Sequence, residues 1–297
     1  MTVNEVSAPS HETPSPWRIM WREIYADKLA LVSLFVFITI VIVSYVWASF
    51  YSPEDLVRVY LARINRPPGG DFPLGTDPGG RDMVAMLVVG ARNSFTVAFT
   101  VAIMTSVIGL LIGLFSGFYG GHVDNVVMRI VDFFSMVPTL MLIIVIIVLI
   151  PNFTPIHLGL IFVIFGWVGM ARVMRLKTLQ HGVMDYVQAS KTLGTPNLVI
   201  IFREVLPNII SFTVVNLTLG IASTMGIETG LTFLGFGLPP GYPSLGTLIS
   251  YARAPIVLQE RLWQWLPAAL LIFGLMLCIN FVGQALNRAA DAKRRNV

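Results

Sequence analysis

The sequence predicts an all-α membrane protein with six transmembrane helices, and its composition is the first reason. Of the 297 residues, 55% are apolar and 12% are charged, and this charged share is about half that of a typical soluble domain. The second reason is that the charges are grouped. They leave uncharged stretches as long as the ~20 residues that a helix needs to cross a bilayer. Both observations argue against a water-soluble monomer.

Four of the uncharged stretches each fit one crossing. The first, residues 29–50, begins far from the N-terminus and ends without a small-x-small cleavage site, so we expect it to remain as an anchor helix and not to be removed as a signal peptide. The others cover residues 94–118, the 23 residues between Glu204 and Glu228, and the 26 residues between Arg261 and Arg288.

A fifth uncharged stretch is much longer. It holds the 39 residues between Asp132 and Arg172, which are too many for one crossing of ~30 Å at about 1.5 Å per residue. Pro151 and a second proline four residues later interrupt it near the middle. We therefore expect a hairpin of two spans over residues 133–150 and 158–171, which brings the total to six.

The distribution of Lys and Arg predicts the orientation, because cationic loops tend to remain cytoplasmic. With the N-terminus inside, 13 of the 20 Lys and Arg residues fall in cytoplasmic segments. The expected segments are a cytoplasmic tail over 1–28 that is disordered up to residue 16, an anchor helix over 29–50, an extracytoplasmic segment over 51–91, a five-helix core over 92–287 that includes a cytoplasmic loop at 172–207, and a cytoplasmic tail over 288–297.

The cytoplasmic loop at 172–207 carries regular helix start and stop signals. Asp185, with a Gln three residues later, has the pattern of a capping box for a helix over 186–193. Gly194 suits the left-handed position that ends such a helix. Thr195 and the proline after it predict the start of a second helix over 196–205, and Pro207 marks the beginning of the fifth span.

The first loop helix has an apolar side formed by Tyr186, Val187, Ala189 and Leu193. Eight residues do not hold a helix in water by themselves, so this side needs a surface to cover it. That surface is either a partner protein, the lipid interface or the ends of the protein's own helices.

Three features within the predicted spans also call for an explanation. Gly109, Gly113, Gly117 and Gly121 recur every four residues and predict close packing of another helix, with a hinge or path lining as the alternative. Glu228, near the outer end of the fifth span, lies either at a gate or in the translocation path, or reaches the interface without a role. Asp132 is expected to pair with the Arg three residues before it.

The loop resembles the EAA-x3-G … I-x-LP segment of ABC-importer inner-membrane permeases. The residues at the E, A, A, G and L-P positions are Gln188, Ala189, Ser190, Gly194, Leu206 and Pro207. Gln and Ser replace two of the family residues, and Glu204 stands where the family prefers Ile. The resemblance implies that Asp185, Tyr186, Gln188, Ala189, Ser190 and Gly194 form a coupling helix, which inserts into a cleft on a cytoplasmic ATPase.

A second resemblance narrows the family. The run PLGTDPGGRD at 73–82 and the run GARNSF at 90–95 are similar to the HPLGTDxxGRD … GARxSL signature of dipeptide, oligopeptide and nickel permeases, with Phe72 in place of the His. Further similar runs follow at 117–124, 171–175 and 231–240. The signature belongs to the subunit type with one span ahead of a five-span core, which implies the MetI-like core of type I importers.

The resemblance implies a permease subunit that imports peptides into a bacterial cell through the inner membrane, within which the chain is multi-pass. The implied partners are a sister permease, two cytoplasmic ATPase subunits, an extracytoplasmic binding protein and the lipid bilayer, with no nucleic acid. No Gly-Lys-Ser/Thr phosphate loop occurs in this chain, so we expect it not to be an enzyme and to hold no cofactor. ATP and magnesium are expected on the partner ATPases.

Two alternatives remain open at this point. The first is a transporter of the same class that imports nickel or another small solute. The second is an ion-coupled secondary carrier, which normally needs several ionisable groups within its spans, and Glu228 alone does not meet that need. The four His residues lie in separate segments without metal-ligand spacing, so a metal site is not expected.

Overall fold

The computed structural model describes residues 16–150, 153–239 and 241–295. Within these ranges the chain is helical, and its only β pairing consists of two isolated bridges. The α-helices in chain order are α1 (Pro16–Ala26), α2 (Lys28–Ala48), α3 (Pro53–Val57), α4 (Met83–Tyr119), α5 (Gly121–Met136), α6 (Thr139–Leu149), α7 (Pro155–Gly182), α8 (Asp185–Thr192), α9 (Asn197–Ile200), α10 (Leu206–Leu234), α11 (Leu245–Ser250), α12 (Pro255–Glu260) and α13 (Leu266–Arg295).

Six transmembrane passages can be counted in the described residues. Helices α2, α4 and α7, the continuous helix Asn197–Leu234, and α13 are each long and apolar enough to cross a bilayer. Helices α5 and α6 meet the same test together, as one span that is bent by 75°. This count confirms the prediction of an all-α membrane protein with six spans.

The third span differs from the prediction, because it is not one helix over 133–150. It begins at Gly121, stops at Met136 and resumes at Thr139. Pro138 has no N–H to donate and disfavours helical geometry in the residue before it. Val137 accordingly adopts the extended conformation, with φ −78° and ψ 130°. A proline within the uncharged stretch therefore breaks the span well before the expected turn at residue 151, which itself lies outside the described residues.

The fifth span also differs from the prediction. Residues 196–205 do not form a separate helix, because α9 continues into α10 as the single helix Asn197–Leu234. Thr195 does not cap it, since Pro196 occupies the N-cap position and makes no side-chain cap bond. The turn Ile201–Val205 is a π-helix. Such a widened turn accommodates a backbone group without its usual partner, so Pro207 is held inside the helix and does not start it.

Both predicted tails contain helix. Helix α1 lies within 1–28 and buries Ile24 against α2 and α13, while α13 runs on to Arg295, past residue 288. Asp27 caps α2 by accepting from the N–H groups of Leu29 and Ala30, at 3.0 and 3.2 Å, and it also accepts from Arg288 of α13. The disorder expected up to residue 16 falls almost wholly on residues 1–15, outside the described residues.

The centre of the bundle is the contact between α4 and α7. A methyl group at Gly109 would lie 2.5 Å from Cβ of Met170, and one at Gly113 would lie 2.5 Å from the carbonyl oxygen of Ala171. At Gly117 the same group would lie 2.7 Å from the carbonyl oxygen of Arg175. The two backbones therefore touch along two turns, and the contacts advance together along both helices, which run parallel.

Gly121, the fourth glycine of the predicted packing stripe, does not belong to this contact. It has a φ of +52°, and among the described residues nothing from another helix lies within 4 Å of where its Cβ would be. The reason is that α4 ends at Tyr119, and Gly120 and Gly121 both take positive φ values to start α5 in a new direction. A periodicity that is continuous in sequence is therefore interrupted by the end of the helix.

We expect Gly113→Ala to destabilise the protein by about 1–3 kcal/mol, because the added methyl group meets backbone atoms that cannot move aside without separating α4 from α7. Thermal unfolding of the purified protein in detergent measures this as a lower Tm. The matched control is Gly169→Ala on α7, where the space is open and where alanine favours a helix by up to about 1 kcal/mol. Equal Tm values for the two variants would contradict the packing argument.

Candidate functional site

The first candidate site is the segment 183–196 around α8, named the knob from here on. Helix α8 begins one residue earlier than expected. Met184 is its N-cap residue, and no side chain caps it. The predicted capping box is therefore wrong, because Asp185 is the first helical residue and Gln188 donates instead to the carbonyl oxygen of Gly182, at 2.7 Å. This bond ties α8 back to the end of α7.

The knob ends where Gly194 turns the chain. Gly194 has a φ of +77°, its N–H donates to the carbonyl of Lys191, and the N–H of Thr195 donates to the carbonyl of Ser190. These two bonds form a Schellman motif, which satisfies carbonyl groups left free at the end of a helix. The arrangement fixes where α8 stops and the direction in which the chain leaves it.

The inner side of the knob is attached to the bundle. Val187 is buried in an apolar cluster with Leu114, Ile200 and Val205, so one residue of the predicted apolar side is covered by the protein itself. Ser190 donates to Oε1 of Glu204 at 2.6 Å. Glu204, which stands where the family prefers Ile, therefore holds the knob by a hydrogen bond.

Tyr186 joins the knob to both neighbouring long helices. Its hydroxyl lies 2.9 Å from Nδ1 of His181 on α7 and accepts from Nδ2 of Asn208 on α10 at 3.3 Å. Burial raises the pKa of Tyr186 above its usual value. The phenol therefore stays neutral at physiological pH and keeps both contacts.

The outer side of the knob is apolar and uncovered within the described residues. Leu193 is 84% exposed, and Val183, Met184 and Ala189 are exposed beside it in sequence. Phe202 adds an exposed ring on the following helix. The predicted apolar side of α8 is thus divided between an inner part that anchors it and an outer part that is free to meet another surface.

The second candidate site surrounds Glu228, which is 1% exposed. Its carboxylate accepts from the hydroxyl of Ser94 on α4 at 3.1 Å and from Thr232 on α10 at 2.8 Å. The Ser94 hydroxyl in turn accepts from the N–H of Leu245 on α11, at 3.1 Å. Glu228 is enclosed within the protomer and connects three helices. A role for it at the gate or in the path stays a prediction.

Residues 51–82 and 241–265, named the cap from here on, form the end of the bundle next to Glu228. Asp77 is fully buried and accepts from the backbone N–H groups of Gly79 and Arg81, both at 2.8 Å. It also pairs with the Arg81 guanidinium at 2.6 Å and accepts from the Tyr251 hydroxyl at 3.0 Å. Burial raises the pKa of Tyr251, so its hydroxyl remains a donor. These bonds join the two parts of the cap.

Sequence reasoning missed most of these polar contacts. It gave Asp77 no role beyond its place in the signature run at 73–82, and it gave no role to Ser94 or to the pair formed by Asp124 and Arg175. It also assigned the wrong partner to Asp132, which bonds to Arg172 of α7 at 2.8 Å. Apart from the resemblance, the sequence gives one signal: acidic residues close to or within apolar stretches need a partner.

Comparison with known proteins places the chain in a family. A family model described as "Binding-protein-dependent transport system inner membrane component" matches residues 109–296. The chain belongs to this family. A second model, described as "N-terminal TM domain of oligopeptide transport permease C", matches residues 15–68. The two matches confirm the arrangement of one span ahead of a permease core, and members of such a family are transport permeases and not enzymes.

Similar proteins cover nearly the whole chain. The "Oligopeptide transport system permease protein OppC" of Lactococcus lactis subsp. cremoris is 42% identical over 92% of this chain and 93% of its own length. The "Dipeptide transport system permease protein DppC" of Bacillus subtilis is 34% identical over 93% and 85%. The "Oligopeptide transport system permease protein OppC" of Bacillus subtilis is 33% identical over 96% and 92%. These matches confirm the resemblance to ABC-importer permeases.

We expect Ser94→Ala to destabilise this permease by about 1–3 kcal/mol, because it leaves the buried N–H of Leu245 without its partner and removes one hydrogen bond from the Glu228 carboxylate. Tm in detergent measures the loss, and limited proteolysis detects release of α11. The control is Ser44→Ala, because Ser44 is also buried, but its hydroxyl donates to the Ile40 carbonyl of its own helix and, within the described residues, to nothing on another helix. If the Ser94→Ala protein is as stable as this control, the hydrogen bonds of Ser94 do not contribute the expected stability.

Proposed function

We propose that this permease forms, with a sister permease, the channel of an ATP-driven importer of peptides. The names of its relatives support the cargo, since those proteins are oligopeptide and dipeptide permeases and match more than nine-tenths of this chain. The match to the N-terminal domain model of an oligopeptide permease supports the same cargo. Nickel or another small solute remains the second candidate, because nickel permeases share the signature that the runs at 73–82 and 90–95 resemble.

The observation that carries the mechanism is the knob. Leu193 is 84% exposed at the end of the short helix α8. Hydrogen bonds fix both ends of this helix, and Val187 anchors its inner side. An exposed apolar side chain held in this way suits contact with a partner protein. We propose that two cytoplasmic ATPase subunits grip this surface here and on the sister permease. ATP and magnesium then bind on those subunits, and this chain moves without holding a cofactor.

The orientation that we propose places the knob and both termini in the cytoplasm of a bacterial cell. Support comes from the excess of Lys and Arg in the segments on that side, 13 of 20. The cap then lies outside, where a binding protein delivers the peptide. Alternating access follows when ATP binding and hydrolysis move the knobs of the two permeases together and apart.

We expect Leu193→Glu and Ala189→Glu to remove at least about nine-tenths of the ATPase that copurifies with the tagged transporter. A charge buried at the interface without a partner costs more than the ~1.4 kcal/mol that corresponds to tenfold in affinity. Both changes leave Val187 and the bond between Ser190 and Glu204 intact, so the permease itself should keep its Tm. Leu61→Glu is the control, because Leu61 is similarly exposed, at 79%, but belongs to the cap. Retention of the ATPase by Leu193→Glu would contradict this docking surface.

We expect proteoliposomes with the complete transporter and its binding protein to accumulate tritium-labelled di-, tri- or hexapeptides only when ATP is supplied. Radioactive nickel, offered under the same conditions, tests the second candidate and should not accumulate. Vesicles that contain a non-hydrolysable ATP analogue are the control. Uptake driven by an ion gradient without nucleotide would favour the secondary carrier and contradict the proposal.

A further inference from the structure

A bidentate ion pair outside the two candidate sites joins α5 to α7. Asp124, in the first turn of α5, accepts two hydrogen bonds from the Arg175 guanidinium, through Nε and a terminal nitrogen. The Ser116 hydroxyl of α4 also donates to the same carboxylate. The side chains of Arg175 and Asp124 are 26% and 11% exposed. A two-pronged pair of this kind fixes both distance and angle.

Arg175 lies on the element that leads directly to the knob. Helix α7 ends at Gly182, and only two residues separate it from the start of α8 at Asp185. The backbone of α7 beside Arg175 touches α4 at Gly113 and Gly117, at 2.6 and 2.7 Å from an added methyl group. Because these backbones are in contact, α4, α7 and the knob form one packed unit.

The chain bends sharply at both ends of helix α5. At its start, Gly120 and Gly121 have φ values of +61° and +52°, and both lie in open space. At its end, the 75° bend at Val137 and Pro138 leads into α6. Since the chain bends at each end, chain connectivity does not dictate how α5 sits on α7.

The remaining contacts between α5 and α7 lie further along α5, towards its bend. The ring of Phe134 packs against those of Trp167 and Phe165, with centroids 5.7 and 6.3 Å apart. Val131 packs against Val168 and Ala171, and apolar contacts of this kind tolerate sliding more readily than a directed hydrogen bond does. The ion pair between Asp132 and Arg172, two turns further along, has side chains that are 49% and 46% exposed. Exposed pairs contribute little. At the start of α5, the register on α7 therefore depends on Asp124 and Arg175.

We propose that Asp124 and Arg175 are a positioning pair that transmits movement of the knob to α5, so that the broken third span follows α7 when the ATPases change state. This inference rests on the proposed function, because it requires a knob that is moved by a partner. Breaking the pair leaves the ATPases docked and active but allows α5 to lag behind α7. The result is ATP hydrolysis without equivalent transport.

The experiment compares Arg175→Met, Arg175→Lys and Asp124→Asn in the complete transporter reconstituted in proteoliposomes. ATP hydrolysis and uptake of the labelled peptide that the wild-type complex imports are measured together. We expect Arg175→Met and Asp124→Asn to keep hydrolysis within about twofold and to lower uptake at least tenfold, so that the ATP used per peptide rises at least fivefold. Lysine cannot donate two bonds in the same plane, so Arg175→Lys should fall between these variants and the wild type.

The matched control is Arg172→Met, which removes an arginine from the same helix and breaks the exposed pair with Asp132. It should change the ATP used per peptide by less than about twofold. Variants of Arg175 and Asp124 in which hydrolysis and uptake fall in parallel would show a merely structural role and would overturn the proposal. If Arg175→Met is not recovered intact, Arg175→Lys and Asp124→Asn decide it by the same ratio.

A spin-label measurement tests the pair without reference to cargo. Labels at Val126→Cys on α5 and Val173→Cys on α7, in a protein with Cys278→Ser, report the distance between the two helices with and without ATP. We expect one narrow distance distribution in the parent protein and a distribution at least twofold wider after Arg175→Met. Equal widths would overturn the inference. Failure of the proposed function would instead appear in the wild-type complex, as hydrolysis without any uptake.

Discussion

The structure depends on the direct backbone contact between α4 and α7. Lipid tails are as apolar as leucine, so helices in a bilayer gain nothing from hiding apolar side chains, and close packing has to hold them together. Gly109, Gly113 and Gly117 allow that closeness, because at each position a single methyl group would meet α7. The knob continues from the end of α7, so its position in space is inherited from this contact.

The backbone contact between α4 and α7 does not by itself keep the apolar surface of the knob exposed. An apolar surface that must stay available to a partner tends to fold back onto the protein's own apolar surface. The chain prevents this by using Val187 as the anchor, Gly194 as a fixed end and the bond between Ser190 and Glu204 as a brace. Leu193 is then held outward by the backbone and needs no side-chain contact of its own.

The sequence predicted the features that depend on local composition and not those that depend on distant partners. The six spans, the short helix of the knob and its glycine stop were accessible, because hydropathy and the φ of glycine act within a few residues. Two prolines show where prediction from local sequence fails. Pro138 breaks a span because Val137 becomes extended, whereas Pro207 is absorbed by the π-helical turn before it. A sequence pattern alone does not distinguish these outcomes, since the surrounding packing decides between them.

The site contacts were less predictable, because their partners are far apart in the chain. Ser94 and Glu228 are 134 residues apart, and Asp124 and Arg175 are 51 residues apart. The sequence did signal that an acidic residue in an apolar span needs a partner, but the partner followed only from the packing of the helices. The capping box failed for a smaller reason, since the helix began one residue earlier and displaced Asp185 from the cap position.

The two polar networks have one helix in common. Ser94 in the first third of α4 bonds to Glu228, and Ser116 in its last turn bonds to Asp124. With 37 residues, α4 is about 55 Å long at 1.5 Å per residue, which exceeds the ~30 Å hydrocarbon core. Buried polar groups are costly unless they are paired, so each network resists a change of register at its own end of α4. Under the proposed function, a displacement of the knob is therefore transmitted along α4 to the hydrogen bond between Ser94 and the N–H of Leu245 on α11.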